Sequence, residues 1–210
     1  IGNLSDFQRL IKLLAARVSQ ELNVSSLAND IGVTARTVQN WISILEASYI
    51  VFLVPSYHKN LGKRVVKRPK LYFYDTGLVC YFTGIEEESV LRKGPLDGPV
   101  FENYIAAEIK KWILHHGLKD QLLYFRTNLG IEVDLIIEDP ARNALRLIEV
   151  KSTETPRPEM FTHILKVGGL KGRSENFLIY RGKTIPDYRE GCRCLNYFEL
   201  DTMFQEMRGN

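Results

Sequence analysis

The sequence contains few cysteines, three among 210 residues, and none stands in a C-x-x-C pair or beside histidines at zinc-ligand spacing. This sparse, odd set argues against a structural zinc site or a disulfide framework, and it favours reduced thiols in a cytoplasmic protein. The chain also lacks an apolar run of about 18 residues and a signal-peptide pattern, so we expect no membrane association.

A phosphate-binding loop of the form G-x-x-x-x-G-K-[ST] is also missing. Gly182-Lys183-Thr184 ends like such a loop, but Phe177 stands where the first glycine is required, and no helical pattern follows. We therefore expect no nucleotide site in this chain.

The net charge of +3 is too small to identify a polyanionic partner, but the excess of positive charge lies in the N-terminal half. Residues 1–95 carry twelve Lys/Arg against eight Asp/Glu, whereas the remainder carries sixteen against seventeen. Glycines and prolines at residues 94–99 follow the acidic run Glu86-Glu87-Glu88, which places a domain boundary there. We predict an α+β protein with domains at 1–95 and 96–210.

The first domain begins with helical periodicity and short connections. An apolar stripe runs from Phe7 to Val18, and Ser25 or Ser26 offers an N-cap to a second helix. Gly32 can take a left-handed turn conformation, and Thr34 can cap a third helix. This pattern predicts a helix-turn-helix.

Two β-rich segments, residues 49–55 and 70–74, follow these helices and predict a hairpin, which makes the domain a winged helix-turn-helix. Six of the residues at 59–70 are basic and none is acidic, so this connection would be the wing. The wing residues expected to contact phosphate are Lys63, Arg64, Lys67 and Arg68. The residues at the start of the third helix expected to face base edges are Arg36, Thr37, Gln39 and Asn40. The alternatives are a protein-interaction module or the lid of an ATPase, with a charged wing that keeps an edge strand soluble.

The second domain has the predicted order αβββαβ. A long helix from about residue 100 to 116 precedes strands near 121–127, 131–138 and 144–151, then a helix near 158–168 and a strand at 176–181. Glu149 and Lys151 project to one side of their strand, and Asp134 lies beside them if the preceding strand pairs antiparallel. With the Val150 carbonyl, the two carboxylates offer hard oxygen ligands suited to Mg²⁺ or Mn²⁺.

Metal-dependent phosphodiester hydrolysis requires such a set, with the lysine positioning the nucleophile or stabilising the transition state. Glu102, near the start of the long helix, is a candidate fourth member. The alternative is a solvated strand face with a cross-strand ion pair. Glu132 shares the Asp134 face and is either a substitute ligand or an exposed edge carboxylate, and Arg126 is either a phosphate contact or the partner of Glu132.

Three segments carry a family resemblance: KRPKLYFYDTGL at residues 67–78, GPVFEN at 98–103, and the stretch from Arg126-Thr127 through EVD at 132–134 to IEVKS at 148–152. They resemble a prokaryotic family of predicted AAA-type ATPases whose C-terminal half is a domain of unknown function with a restriction-endonuclease-like fold. The resemblance extends from the helix-turn-helix to about Arg181.

The resemblance implies an N-terminal ATPase domain in a longer protein, then a winged helix and a PD-(D/E)XK-like nuclease domain. Its active-site positions correspond to Glu102, Asp134, Glu149 and Lys151, with the three carboxylates as metal ligands and DNA as the substrate. Two alternatives stay open: a catalytically inactive nuclease-fold domain that supports DNA binding, protein binding or assembly of the ATPase, and a transcription regulator. Oligomeric state and substrate preference lie outside what the sequence indicates.

Overall fold

The computed structural model describes residues 3–57, 68–167, 173–189 and 191–208. The described α-helices are α1 (Leu4–Ala16), α2 (Val24–Ile31), α3 (Ala35–Ala47), α4 (Thr76–Thr83), α5 (Glu88–Lys93), α6 (Asp97–His115), α7 (Thr162–Val167) and α8 (Leu200–Arg208). The described β-strands are β1 (Val51–Val54), β2 (Lys70–Phe73), β3 (Gln121–Arg126), β4 (Glu132–Asp139), β5 (Ala144–Lys151), β6 (Arg173–Tyr180), β7 (Ile185–Arg189) and β8 (Cys192–Asn196). Short 3₁₀ turns at Pro158–Phe161 and Tyr197–Glu199 lead into α7 and α8.

The chain forms two compact units. One consists of Ile1–Pro55 and Arg68–Ala107, and the other of Ser56–Lys67 and Glu108–Asn210. The architecture is mixed α+β, as predicted. Among the described helices, none combines the length and apolar character needed to cross a membrane.

The first unit begins with three helices whose termini are fixed by side-chain caps. Asn23 caps α2 by accepting a hydrogen bond from the backbone N–H of Ser26, so the predicted cap at Ser25 or Ser26 is wrong. Gly32 ends α2 at φ +85°, in the left-handed region that glycine tolerates, and Thr34 caps α3 through Thr37 N–H. Both of these predictions are confirmed.

A single apolar cluster unites α1, α2 and α3 with the β1–β2 hairpin. Leu10, Leu14, Val38 and Phe73 are each at most 1% exposed within this cluster. Burial of each such side chain contributes about 1.5–3 kcal/mol to folding, which explains the amphipathic spacing of the helices. Strands β1 and β2 pair antiparallel, so the predicted hairpin is confirmed, while residues 58–67 of its connection lie outside the described residues.

Strand β2 is fixed on its second edge by a side chain of α6. The Asn103 amide is fully buried; its Oδ1 accepts the Phe73 N–H at 2.7 Å and its Nδ2 donates to the Phe73 carbonyl at 3.0 Å. A side-chain amide thus satisfies the two backbone groups that a further strand would otherwise pair.

The second unit is built on a six-stranded mixed sheet in the order β3-β4-β5-β6-β8-β7. Strands β3, β4 and β5 are antiparallel neighbours, whereas β5, β6 and β8 run parallel. The connection from β5 to β6 passes through α7, as a parallel pair requires. The predicted order αβββαβ is confirmed from α6 to β6, and β7, β8 and α8 were not anticipated.

Helix α7 covers one face of the sheet, and the candidate site lies on that same face. Leu145 and Leu147 of β5 form an apolar cluster with Ile164 and Val167 of α7. Alternation along a strand places residues two apart on the same face, so Glu149 continues this face towards the carboxyl end of β5. The apolar residues of this face pack the sheet against α7, and the polar residues come after them along β5.

Candidate functional site

Asp134 and Glu149 face each other on neighbouring antiparallel strands. The β4–β5 register pairs Leu135 with Ile148, and one step further along the same register Asp134 lies opposite Glu149. The two residues are 8% and 6% exposed. Asp134 Oδ2 accepts the backbone N–H of Val150 at 2.9 Å, which fixes the carboxylate beside the strand. The predicted pairing of these two carboxylates is confirmed.

Lys151 provides the positive charge between the two carboxylates. Its Nζ lies 2.6 Å from Glu149 Oε1 and 3.5 Å from Asp134 Oδ2. The lysine side chain is 38% exposed, while those of Asp134 and Glu149 are only 12% and 8% exposed. Two nearly buried carboxylates repel each other unless a cation neutralises them, and the ammonium supplies that cation. The cluster opens to solvent on the lysine side.

The donor set suits a hard divalent cation of the magnesium type. Magnesium in proteins commonly uses one or two carboxylates and retains several waters, and Asp134 and Glu149 provide that number. The lysine ammonium between them marks a point where a cation is electrostatically favoured. Among the described residues, no group of three or more His, Cys, Asp or Glu side chains is arranged to hold a metal ion. Carbonyl, water and substrate oxygens are suitable ligands for the remaining coordination positions.

Glu102 belongs to the first unit and has strong partners there. Its Oε1 accepts hydrogen bonds from Lys70 Nζ at 3.1 Å and from the Tyr72 hydroxyl at 2.6 Å. The side chains of Lys70 and Glu102 are 3% and 17% exposed. These contacts anchor the start of α6 to strand β2, a structural role that sequence analysis did not anticipate.

Glu132 and Arg126 form a cross-strand pair at the edge of the sheet. Arg126 Nη1 lies 3.6 Å from Glu132 Oε2, which confirms Arg126 as a structural partner. The Glu132 N–H donates to His163 Nδ1 at 3.4 Å, so α7 also contacts this part of β4. These contacts favour a structural role for Glu132 over its use as a substitute ligand.

Arg181 is a basic residue near the site that sequence analysis missed. Its backbone N–H donates to the Thr153 carbonyl at 3.0 Å, and its Nη1 donates to the Ser152 carbonyl at 3.2 Å. Strands β5 and β6 are parallel with Lys151 opposite Tyr180, so Arg181 follows one strand end just as Ser152 follows the other. Parallel pairing of β5 with β6 was the signal that would have identified it.

Gly182 has a steric explanation that needs no phosphate. A Cβ atom at this position would lie 2.2 Å from the Glu154 carbonyl oxygen and 2.4 Å from the Tyr180 ring. Only glycine fits where the end of β6 passes so close to this loop.

The outward face of α3 carries the residues predicted to face DNA. Arg36, Gln39 and Asn40 are exposed, while Thr37 is half-buried and its hydroxyl lies 2.8 Å from that of Thr34. The predicted outward orientation is thus confirmed for three of the four residues, and Thr37 also contributes to the helix cap. Of the wing residues, Arg68 is exposed, whereas Lys63, Arg64 and Lys67 lie outside the described residues.

Two family models match the chain. One is described as "Domain of unknown function (DUF8612)" and matches residues 1–89. The other is described as "Domain of unknown function (DUF4143)" and matches residues 97–200; this domain is common in proteins associated with AAA-type ATPases.

The chain is also similar to two mycobacterial proteins, "Uncharacterized protein Rv2008c" of Mycobacterium tuberculosis and "Uncharacterized protein Mb2031c" of Mycobacterium bovis. Each is 28% identical to it over 149 residues, which is 71% of this chain and 32% of the relative. The chain therefore spans about a third of the length of these relatives. No solved structure matches it.

Proposed function

We propose that the second unit is a restriction-endonuclease-like domain that hydrolyses phosphodiester bonds with Mg²⁺ or Mn²⁺. The observation that carries the proposal is the convergence of Asp134, Glu149 and Lys151 at the carboxyl end of β5. The αβββαβ order around these residues supports it. Glu102 enters the proposal as a fourth position, which the sequence resemblance implies.

In this proposal each residue of the cluster has its own role. Asp134 and Glu149 would hold the metal ion, which when bound supplies charge neutralisation and a water of lowered pKa. The Val150 N–H keeps Asp134 oriented. The Lys151 ammonium would hold the attacking water or stabilise negative charge on the scissile phosphate, and its partial exposure leaves it accessible to a substrate.

Cleavage of plasmid, linear and single-stranded DNA with Mg²⁺ or Mn²⁺ tests this proposal. We expect Asp134→Ala and Lys151→Ala each to reduce cleavage by on the order of 100-fold or more, because each removes a group that acts on the reacting phosphate. Glu132→Ala is the matched control, since it removes a carboxylate from the same strand that is paired with Arg126. Residual activity in the two site variants equal to that of the wild type would exclude this catalytic assignment.

Glu102→Gln tests the fourth position in the same assay. It keeps the shape of the side chain and removes its charge. Loss of cleavage in the folded variant assigns Glu102 to the catalytic set, whereas retained cleavage restricts the set to Asp134, Glu149 and Lys151.

We further propose that the first unit is a winged helix that binds DNA through α3 and the basic connection between β1 and β2. The exposed side chains of Arg36, Gln39 and Asn40 support this assignment, since they can donate and accept hydrogen bonds at base edges. Arg68 and the basic composition of residues 59–70 would add phosphate contacts.

Charge reversal at Lys63 and Arg64 tests this second proposal. If both side chains neutralise phosphates, the double variant should bind DNA more weakly, and the slope of log affinity against log salt should fall by about 0.9 for each phosphate that is no longer neutralised. Lys12→Glu, at an exposed position on α1, is the control for a general change in charge. Unchanged affinity in the double variant would assign the unit to protein interaction instead.

In the longer protein, we propose that this chain corresponds to the part that follows an ATPase domain. Its span of about a third of the mycobacterial relatives leaves room for such a domain, and the sequence has no phosphate-binding loop of its own. Addition of ATP to the longer protein should change its DNA binding or cleavage, whereas ATP should not change those of this chain. An equal response in both would contradict the arrangement.

A further inference from the structure

A second polar region lies on the opposite face of the sheet from the candidate nuclease site. Arg146 is three residues before Glu149 on β5, so the two side chains project to opposite faces. Arg146 lines a cavity of about 920 Å³ together with Arg142, Arg193 and residues of α8. Cavities that bind small molecules commonly measure about 300–1,000 Å³.

The charges around the cavity are mostly arranged as ion pairs. Arg193 makes two hydrogen bonds of 2.8 Å to Glu206, and the arginine lowers the pKa of that carboxyl. Arg142 Nη1 lies 3.4 Å from Asp139 Oδ2, and Arg146 Nε lies 3.0 Å from Glu175 Oε2. The lining residues comprise three arginines and two glutamates, and Asp139 beside Arg142 gives the third arginine its own carboxylate partner.

Arg146 differs from the other two arginines in its burial and in its hydrogen bonds. It is 4% exposed; its Nε forms an ion pair with Glu175 that is not aligned as a hydrogen bond, and its buried Nη1 has no hydrogen-bond partner among the described residues. A buried donor without an acceptor costs about 1–3 kcal/mol, and more when it is charged. A planar guanidinium with unused N–H groups is the usual protein partner of an oxyanion.

The α8 side of the cavity supplies a polar group that complements this arginine. Thr202 and Gln205 are exposed residues of α8 that line the cavity; the Thr202 hydroxyl donates to the Glu199 carbonyl at 2.7 Å, whereas Gln205 carries an exposed amide. Arginine and amide donors together suit a phosphate group better than an apolar ligand.

We propose that this cavity binds a small phosphate-bearing molecule, held by Arg146 and Arg142 from the sheet side and by Gln205 from α8. The site is separate from the Asp134–Glu149–Lys151 cluster and does not depend on nuclease activity.

Titration of the 210-residue chain with inorganic pyrophosphate and with a nucleoside triphosphate, followed by calorimetry, tests the proposal. Gln205→Glu adds a negative charge at an exposed position of the cavity wall and should weaken binding at least tenfold, without disturbing the core. Gln121→Glu makes the same change at an exposed position that does not line the cavity and should bind as the wild type does. Arg146→Met should abolish binding if the variant folds.

Two further experiments show whether the phosphate belongs to a small molecule or to DNA, and whether the cavity binds independently of the Asp134–Glu149–Lys151 cluster. Displacement of pyrophosphate by the nucleotide, but not by a short DNA duplex, supports a small-molecule ligand, and displacement by the duplex overturns that assignment. Asp134→Ala should leave pyrophosphate affinity unchanged. The proposal is overturned if neither probe binds at millimolar concentration, or if Gln205→Glu binds as tightly as Gln121→Glu.

Discussion

Lys70 in the first compact unit and Lys151 in the second each pair with carboxylate oxygens, and the two lysines differ in exposure. In the first unit, Lys70 donates to Glu102, and the lysine side chain is 3% exposed. In the second unit, Lys151 contacts Glu149 and Asp134, and its side chain is 38% exposed. The same ion-pair chemistry is therefore enclosed at Lys70 and accessible to solvent at Lys151.

The difference indicates which of the two lysines can serve a reaction. An enclosed ammonium cannot meet water or phosphate without unfolding its surroundings, so Lys70 contributes to the structure of the first unit. An accessible ammonium between two carboxylates can contact a substrate group from the solvent side, so Lys151 is suited to chemistry. Residue type alone does not separate these roles, since both are lysines next to glutamates.

Replacing each lysine by methionine gives the largest contrast. For Lys151→Met we expect metal-dependent DNA cleavage to fall by about 10³-fold, on the order of 4 kcal/mol in activation free energy. Lys70→Met, assayed where it is folded, should keep most of its cleavage activity. Nuclease rates normalised to the folded fraction provide the measurement. Equal reductions in the two variants would remove the distinction between the clusters.

The free energy of unfolding should fall more in Lys70→Met than in Lys151→Met, which is the reverse of the order expected for DNA cleavage. Lys70→Met leaves the Glu102 carboxylate without its ammonium partner in a nearly closed environment, and we expect the free energy of unfolding to fall by about 3–5 kcal/mol. Lys151→Met should cost less, because its side chain is partly solvated. Urea denaturation of both variants checks this order, and a larger decrease for Lys151→Met would reverse the comparison.

Tyr72→Phe isolates the second donor to Glu102. The Tyr72 hydroxyl lies 2.6 Å from Glu102 Oε1 and the residue is fully buried. A hydrogen bond to a charged group contributes about 1.5–3 kcal/mol, so we expect a decrease of that order in thermal or urea unfolding. Tyr81→Phe, at a 77% exposed tyrosine, is the control and should be close to neutral. A neutral Tyr72→Phe would mean that the Tyr72 hydroxyl does not contribute to holding this carboxylate.

Asp120 is a half-buried carboxylate, and we expect its replacement to change the free energy of unfolding less than the substitutions above. Burial first, and then the nearby Asp139 carboxylate, raise the pKa of Asp120, and its Oδ1 has no hydrogen-bond partner among the described residues. A raised carboxyl pKa means that the folded state binds the proton more tightly than the unfolded state does. Asp120 therefore favours folding less as pH rises from below its ordinary value of about 4 through its raised value.

Asp120→Asn should consequently be slightly more stable than the wild type at pH 7. The advantage should shrink as the pH falls towards the ordinary aspartate range, where the wild-type carboxyl is protonated in both states. Urea midpoints measured across this pH range test it. A variant that is less stable than the wild type at pH 7 would contradict the expected sign.

The Asp134–Glu149–Lys151 cluster was predictable because it depends on local rules. Strand alternation places Glu149 and Lys151 on one face, and the short connection between β4 and β5 leaves an antiparallel hairpin as the natural pairing. Each step involves neighbours in sequence. The same applies to Gly32 and Thr34, whose conformations follow from their positions at helix ends.

Other features depend on contacts that no short-range pattern encodes. The Lys70–Glu102 pair joins residues 32 positions apart, and the partnership of Arg181 with Ser152 requires the parallel pairing of β5 with β6. Arg146 resembles an ordinary exposed arginine in a strand until α8 is positioned over it. Even the cap of α2 was misassigned, because Asn23 and the serines after it are all good caps and only the backbone path selects among them.

The two hydrogen bonds between the Asn103 amide and the Phe73 backbone form late during synthesis of the chain. Asn103 lies 30 residues after the strand whose edge it satisfies. At about 5–20 residues per second, a ribosome takes roughly two to six seconds to produce that segment. During this interval the β1–β2 hairpin has emerged with the N–H and carbonyl of Phe73 unpaired, while Ser19 and Gln20 already pair with Leu71 on the same edge. The nascent chain is then at its most vulnerable to strand exchange with a neighbouring copy, and emergence of α6 ends that window.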